Sequence, residues 1–401
     1  MYYSVDEVMD YVREEDVKFI RLAFCDAYGC QKNVSIMPSE LSRAFADGIS
    51  IDASAVRGFG DLAHSDMFAY PDPSTLQVLP WRPAHGRVIR MFCDLRRPDG
   101  TPSPADSRRV LREAVEALAK RGLTAHIGAE FEFYLFKTDE NGEPTAIPHD
   151  RAGYMDVAPE DRGENVRREI CLALEQMGIQ PESSHHEEGP GQHEIDFHYS
   201  DPLSAADNAV TFKAAVRTIA AQNGLCASLT PKPIVGEPGN GLHINLSVDA
   251  ADGQDYIPAF IAGILAHVQE ITAVLNPTEE SYRRLGKRKA PKFLSWSPEN
   301  RSQLIRIPAT HDGRRRIELR SPDPGCNPYL AYALLLRAGL DGVERGLTPP
   351  EPVNEDLFHA PAALLERLET LPATLEEAWA RARGSEFLRQ TLPPTLLACY
   401  T

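Results

Sequence analysis

The stretch GAEFEFYLF, residues 128–136, alternates large apolar side chains with glutamates. Side chains of a β-strand point alternately to opposite faces. Phe131, Phe133 and Leu135 therefore share one face, and Glu130, Glu132 and Tyr134 share the other. Two carboxylates at neighbouring positions of one face repel, and the repulsion grows as water is excluded. Two arrangements relieve it: a solvated outer face, or a cation held between the charges.

The same habit recurs in three more stretches. In HEIDFHY (193–199), Glu194, Asp196 and His198 oppose Ile195 and Phe197. In HINLSV (243–248), His243, Asn245 and Ser247 oppose Ile244, Leu246 and Val248. In RRIELRS (315–321), Arg316, Glu318 and Arg320 oppose Ile317 and Leu319. HHEEGPGQ, just before HEIDFHY, adds Glu187 and Glu188. One such strand is accounted for by the wet face of an antiparallel sheet. Four together, carrying Glu, His, Asn and Arg and hardly any Lys or Thr, describe a cavity. Carboxylates with an imidazole suit Mg²⁺ or Mn²⁺, and arginines beside them suit phosphate and carboxylate ligands. The combination points to ATP chemistry on an acid. No G-x-x-x-x-G-K-[ST] loop, no GxGxxG between a strand and a helix and no GxSxG elbow is present, so phosphate-loop, dinucleotide-binding and hydrolase readings lack their motifs.

The 401 residues, 42% hydrophobic and 25% charged, suit one large domain or two. A net charge of −16 argues against a nucleic-acid partner, which needs a basic surface. Seven scattered cysteines without a CxxC pair suggest a reducing, cytoplasmic setting. The N-terminus has no apolar signal core, and YLAYALLLRAGL (329–340) carries Arg337 and is too short to span a bilayer, so no membrane partner is expected. Ser4 is placed to cap a first helix over 4–16; a hairpin is expected over 18–37, a helix over 39–47 and short strands near 50–56 and 75–79. RRPDGTPSPADSRR (96–109) reads as a linker, followed by an amphipathic helix. Helices are expected at 163–178, 203–224, 256–275, 327–346 and 374–389, alternating with strands. The fold class is α+β, a small domain over 1–100 and a larger one over 101–401. Arg314 and Arg315 read as solvated, and His185 and His186 as capping or packing groups.

With these residues in hand, the chain resembles the glutamine synthetase family over nearly its whole length. GAEFEFYLF, HHEEGPGQHEIDF, GNGLHIN, NRSQLIRIP, RRIELRSPDPGCNPYLAYALLL and IDASAVRGF with SDMFAYPD carry the resemblance. It implies a small β-grasp domain, then a catalytic domain built on a curved antiparallel sheet flanked by helices. It implies hexameric rings, single or stacked as a dodecamer, with active sites between subunits. It implies an ATP-dependent glutamate–ammonia ligase working through a γ-glutamyl phosphate, with two or more Mg²⁺ or Mn²⁺ ions per site. By the same resemblance Glu132, Glu187 and Glu194 hold one ion, and Glu130, His243 and Glu318 the other. Arg284, Arg320, Gly239 and Gly241 bind the glutamate substrate. Asn245, Ser247, Arg306 and Arg316 bind the nucleotide, Arg301 steadies the transferred phosphoryl group, and Asp52 and Tyr154 receive the ammonium.

Three positions depart from the family. The flap glutamate before Ala-Pro is Lys289, flanked by Lys287 and Arg288; a serine of the ammonium loop is Ala55; and the glycine loop reads Pro238-Gly239-Asn240-Gly241-Leu242-His243. The metal and phosphate residues are intact while the amine site is altered. The sequence leaves open a glutamine synthetase with an unusual flap, a γ-glutamyl ligase for another amine, and a non-catalytic binding protein of the family.

Overall fold

The computed structural model describes residues 3–60, 62–82, 85–310 and 315–401; Arg314 lies outside them. The first helix, α1 (Val5–Glu14), opens on a reciprocal cap in which the Ser4 hydroxyl accepts the Glu7 N–H and the Glu7 carboxylate accepts the Ser4 N–H. The expected hairpin is β1 (Val17–Cys25) and β2 (Gln31–Ile36), followed by α2 (Leu41–Asp47). The strand expected near 50–56 is β3 (Ile49–Asp52), cut short where Asp52 caps a 3₁₀ turn, and the one near 75–79 is β5 (Gln77–Val78). Two longer strands, β4 (Asp66–Pro71) and β6 (Arg87–Arg96), went unread in the sequence. Strand β6 is the spine of this small sheet, pairing with β1 in parallel and with β4 and β5 antiparallel. It is buried on both faces over Ile89–Cys93, so it lacks the alternation that marks a half-wet strand.

The linker is shorter than expected. Arg96 closes β6, and Asp106 caps α3 (Ser107–Ala119) by accepting the N–H groups of Arg108 and Arg109, while its other oxygen accepts the Leu95 N–H. The chain then enters β7 (Leu123–Thr138), sixteen residues with GAEFEFYLF at the centre. After it come β8 (Pro144–Pro148), α4 (Glu164–Gln176), β9 (Pro181–His186), β10 (Gln192–Ser200) and α5 (Pro202–Gln222). Next are β11 (Leu225–Ser228), β12 (Leu242–Ala250), α6 (Ile257–Leu275) and α7 (Glu279–Arg284), then β13 (Trp296–Pro298), β14 (Ile305–Ile307), β15 (Ile317–Leu319) and α8 (Pro328–Glu344). The helix expected at 374–389 is two, broken at Ser385, which caps the second while donating to Glu270.

The large sheet runs β13-β14-β15-β12-β7-β10-β9, with β8 and β11 on the far end of β7. It is antiparallel except for the β13–β14 pair. Its apolar face packs on helices: Phe212 of α5 stacks on Phe131 and meets Phe133 and Phe197. Helix α6 is long and apolar enough to cross a membrane, but it is two-thirds buried within the core.

One buried ion network ties the two sheets. Arg108 of α3 bonds Asp72 at 2.9 Å, Asp94 of β6 at 3.0 Å and both oxygens of Asp207 of α5 at 3.0 and 3.1 Å. The hydroxyl of Tyr329 on α8 donates to Asp207 at 2.6 Å. Removing one partner of such a buried set leaves the others uncompensated, at a cost of about 3–5 kcal/mol. Arg108→Leu is therefore expected to lower the unfolding free energy obtained from urea titration by that amount, whereas Arg315→Leu, whose ion pair with Asp255 is exposed, is expected to change it by less than about 0.5 kcal/mol.

Candidate active site

The polar face of the large sheet forms the wall of a cavity of about 610 Å³. Register explains the convergence. His243 of β12 stands opposite Glu130 of β7, and Glu194 of β10 stands opposite Glu132. Asn245 stands opposite Glu318 of β15, and Arg306 of β14 opposite Glu318 on the other side. Each strand thus contributes alternate residues to one surface, while Phe131, Ile195, Ile244 and Leu319 go to the core.

The distances define a dense acidic centre. His243 Nδ1 lies 3.1 Å from Glu130 and 3.8 Å from Glu318, and its Nε2 lies 4.0 Å from Glu132. His185 Nε2 lies 3.2 Å from Glu187 and 3.7 Å from Glu194. Asn245 donates to Glu130 at 2.8 Å and accepts from Arg316 at 3.0 Å. Gln192 and the Gly241 N–H both donate to Glu132, the latter at 2.7 Å. A Cβ on Gly241 would come within 2.9 Å of both Arg284 Nη2 and His243 Nε2, so only glycine lets the backbone reach Glu132 here. Gly239 is confined in the same way, by the Pro231 carbonyl and the Arg284 side chain.

Arginines enclose this centre. Glu318 is fully buried, with one oxygen held by Arg306 at 2.6 Å and the other by Arg320. Burial alone would raise its pKa; Arg320 and its other cationic neighbours outweigh that and hold it low. Burial likewise opposes the charge on Glu130, where hydrogen bonds from His243 and Asn245 prevail. Arg284 is anchored on the carbonyls of Ser321 at 2.7 Å and Arg320 at 3.2 Å. Arg301 and Arg316 line the same wall. At the rim, Lys289 meets Glu188 at 2.5 Å and its ammonium lies 5.5 Å from the ring centre of Tyr154, whose edge packs on His185.

The cavity gathers Glu130, Glu132, Glu187, Glu194, His243, Tyr154, Gly239, Arg284, Arg301, Arg306, Arg316 and Arg320 in its walls, with Glu318 just behind them. Gly241 and Asn245 reach it through their bonds to Glu132 and Glu130. Ser247 does not line it and stands opposite His126 in the ladder. Asp52 is exposed on the small domain, accepts from Ser54 at 2.6 and 2.9 Å, and lies outside this cavity.

His185 is placed otherwise than expected: it is in the wall rather than packed away. The signal was the same period of two, since His185 precedes Glu187 by two residues, as Gln192 precedes Glu194. Asp196, next on that face, also lines the cavity.

Burial and crowding work against the charge of two of these acids. Burial first, then the neighbouring carboxylates, push Glu194 well above the usual carboxylate range. Burial and Glu130 push Asp196 to about 7. Asp196 Oδ1 is buried without a hydrogen-bond partner. Among the described residues, Glu130, Glu194 and His243, and likewise His185, Glu187 and Glu194, bring ligand atoms within 4.8 Å of one another. An oxygen-rich set with one imidazole in each group fits hard divalent cations.

Comparison with known proteins comes to the same place. A family model for the glutamine synthetase catalytic domain matches residues 104–401, and one for the glutamine synthetase beta-Grasp domain matches residues 16–98. The chain is 46% identical over 411 residues to a glutamine synthetase of Methanosarcina mazei, covering 98% of this chain and 92% of that one. It is 43% identical over 409 residues to one of Clostridium saccharobutylicum, with 97% and 91% covered. Among solved structures, an ADP complex of GmaS superposes with a TM-score of 0.88 at 29% identity, covering 98% of this chain and 93% of the other.

The raised pKa values have a sign. Folded Asp196 keeps a proton up to about pH 7, whereas the unfolded carboxyl releases it near pH 3.9. Its contribution to stability therefore falls as pH rises from about 4 through 7. Asp196→Asn is expected to raise the unfolding temperature of the metal-free protein at pH 8, with the gain shrinking toward pH 6. Thermal melts of both proteins across that range measure it, and a gain that grows on acidification contradicts the electrostatic account.

Proposed function

The chain belongs to the glutamine synthetase family, and from that premise we propose that it is an ATP-dependent glutamate–ammonia ligase that forms glutamine through a γ-glutamyl phosphate. One observation carries the reading: a carboxylate cluster and a set of anchored arginines face each other across a single cavity. The family uses ATP and divalent metals, and its members are typically oligomeric.

A carboxylate is a poor electrophile, so its oxygen first attacks the γ-phosphorus of ATP and ADP departs. Ammonia then attacks the acyl carbon and phosphate leaves. In this chain Arg284 and Arg320 grip the glutamate carboxylates, helped by the close backbone of Gly239 and Gly241. Arg306 and Arg316 hold the nucleotide phosphates with Asn245, while Ser247 lies farther along β12 on the nucleotide side. Arg301 balances charge on the transferring phosphoryl group. Glu132, Glu187 and Glu194 would hold one Mg²⁺ or Mn²⁺, and Glu130, His243 and Glu318 another; such ions, when bound, neutralise charge during phosphoryl transfer. Tyr154 borders the rim where the amine arrives, and Asp52 takes its proton.

Asp52 stands exposed and outside its own chain's cavity, which supports a site shared between subunits of a hexameric ring, single or stacked as a dodecamer. Exposed Leu62 near Asp52, and exposed Met155 and Val157 beside Tyr154, suit such a contact. Two domains, 1–100 and 101–401, and a cytoplasmic setting complete the reading; all seven cysteines are free. Mixing inactive Asp52→Ala subunits with inactive Glu318→Ala subunits under reassembly is expected to restore part of the glutamine-forming activity. No recovery from correctly assembled mixed rings contradicts the shared site.

A second reading, a γ-glutamyl ligase for a different amine, is favoured by Lys289. Its ammonium stands at the rim where a cationic acceptor would arrive, and at about 4 Å and an effective dielectric near 20 two such charges repel by about 4 kcal/mol. Glu188 offsets part of this. Lys289→Glu is expected to lower the ammonium KM several-fold. Steady-state kinetics across ammonia and a panel of amines measure it, and an ammonium KM raised by the substitution shows the lysine to be part of an ordinary ammonia site.

A further inference from the structure

Behind the cavity, on the other face of β9 and β10, lies a second cluster. Asp150, Asp161, His186 and His193 are all buried and bring ligand atoms within 4.8 Å of one another. Its composition suits a metal, but its hydrogen bonds do not. His186 Nδ1 lies 2.6 Å from the Glu187 carbonyl and Nε2 lies 2.9 Å from Asp150 Oδ1. Both partners accept, so both ring nitrogens carry hydrogen and neither offers a lone pair. The Arg167 guanidinium lies between the other two, 2.8 Å from Asp161 Oδ2 and 2.8 Å from His193 Nδ1. The two acids are each paired with a cation of the protein itself.

The bonds of this cluster run to the residues that carry the acidic centre. His186 and His193 directly precede Glu187 and Glu194 in the chain, and their rings meet edge-to-face at 4.8 Å. The Glu187 carbonyl that His186 holds belongs to the turn between β9 and β10. Asp150 holds the same turn from the other side, accepting the Gly191 N–H at 3.0 Å, and it also accepts the Arg162 N–H at 3.1 Å. The His186 carbonyl in turn accepts the Met155 N–H at 2.9 Å, next to Tyr154. The imidazole thus holds the backbone from which Glu187 projects, and the carbonyl of the same residue holds the segment that carries Tyr154.

We propose that His186, through its paired bonds to Asp150 and to the Glu187 carbonyl, is a positioning residue that holds Glu187 in the geometry needed to bind a divalent cation. The inference rests on the ligand set proposed above, and it concerns residues that touch neither substrate nor ion. Groups that orient metal ligands in this way change metal affinity by about 10–100-fold when removed. Arg284 and Arg320, which are anchored on Ser321, Arg301 and Glu318, do not depend on the β9–β10 turn.

The test is Mn²⁺ titration of the full-length protein, followed by the paramagnetic signal of free Mn²⁺, in wild type, His186→Phe, Asp150→Ala and Asp150→Asn. Phenylalanine keeps a ring and removes both donors. Asparagine keeps an acceptor for the His186 Nε2–H, and alanine does not. Expected are a 10-fold or larger loss of Mn²⁺ affinity in His186→Phe and Asp150→Ala, a loss within about 3-fold in Asp150→Asn, and a glutamate KM within about 2-fold of wild type throughout. Thermal melts establish which variants are folded, and if His186→Phe is not, the alanine and asparagine pair decides. Folded His186→Phe or Asp150→Ala that binds Mn²⁺ within 2-fold of wild type overturns the proposal and leaves the ligand set standing. A wild type that binds no Mn²⁺ overturns both.

Discussion

Glu130 and Glu132 sit two residues apart on one face of one strand, and the rest of the large domain is arranged around the cost of that placement. With Glu194 across the ladder from Glu132 and His243 across from Glu130, the sheet assembles more negative charge than a protein interior accommodates unaided. A pair of like charges about 4 Å apart costs about 4 kcal/mol at an effective dielectric near 20. The cost shows in Glu194 and Asp196, whose protons are held far above the usual range. It is offset where a hydrogen-bond donor or a guanidinium is at hand, as at Glu130 and Glu318.

What keeps the charges together is the opposite face of the same strands. Phe131 and Phe133 cannot leave the aromatic stack on Phe212 without carrying Glu130 and Glu132 with them. Burial of an aromatic side chain contributes about 1.5–3 kcal/mol, and the pleat links that gain rigidly to the repulsion on the other side. A one-residue slip would exchange the faces, moving carboxylates into the core and phenylalanines into the cavity. The register is therefore specified twice, by apolar burial and by charge pairing. The Arg108 network does comparable work between the two sheets, joining Asp72 and Asp94 of the small sheet's strands and turns to Asp207 of α5.

The period-two pattern made the central strands, their register faces and most of the cavity wall legible, because a half-wet strand writes both of its faces into the sequence. It failed where that condition fails. Strand β6, buried on both faces with Arg90 among its buried residues, shows no period of two, and β4 ends at Pro71. Asp106 looked like part of a polar linker, although it caps α3 and is buried there; a single carboxylate gives no local sign of which backbone groups it will meet. His185 and His186 are adjacent and chemically identical in the sequence, yet alternation sends one into the cavity and the other beneath the sheet. The period was sufficient to separate them. Their partners, Glu187 and Glu194 for one and Asp150 for the other, come from tertiary structure alone.

The arginines give the cavity its final constraint. Both oxygens of Glu318 are engaged, one by Arg306 and one by Arg320. A cation drawn to Glu318 competes with those guanidinium groups for the same lone pairs, and each N–H it displaces regains the freedom to donate elsewhere. Nearby stand Arg316, tied through Asn245 to Glu130, and Arg301, whose backbone carbonyl accepts from Arg320. Positive charge entering the acidic centre thus frees donors for phosphate and carboxylate oxygens, and anions bound by those donors in turn stabilise the positive charge. Such coupling is reciprocal by thermodynamic necessity. A cavity that sets carboxylates against arginines for this reason binds a cation, and an anion, more tightly when the other is already bound.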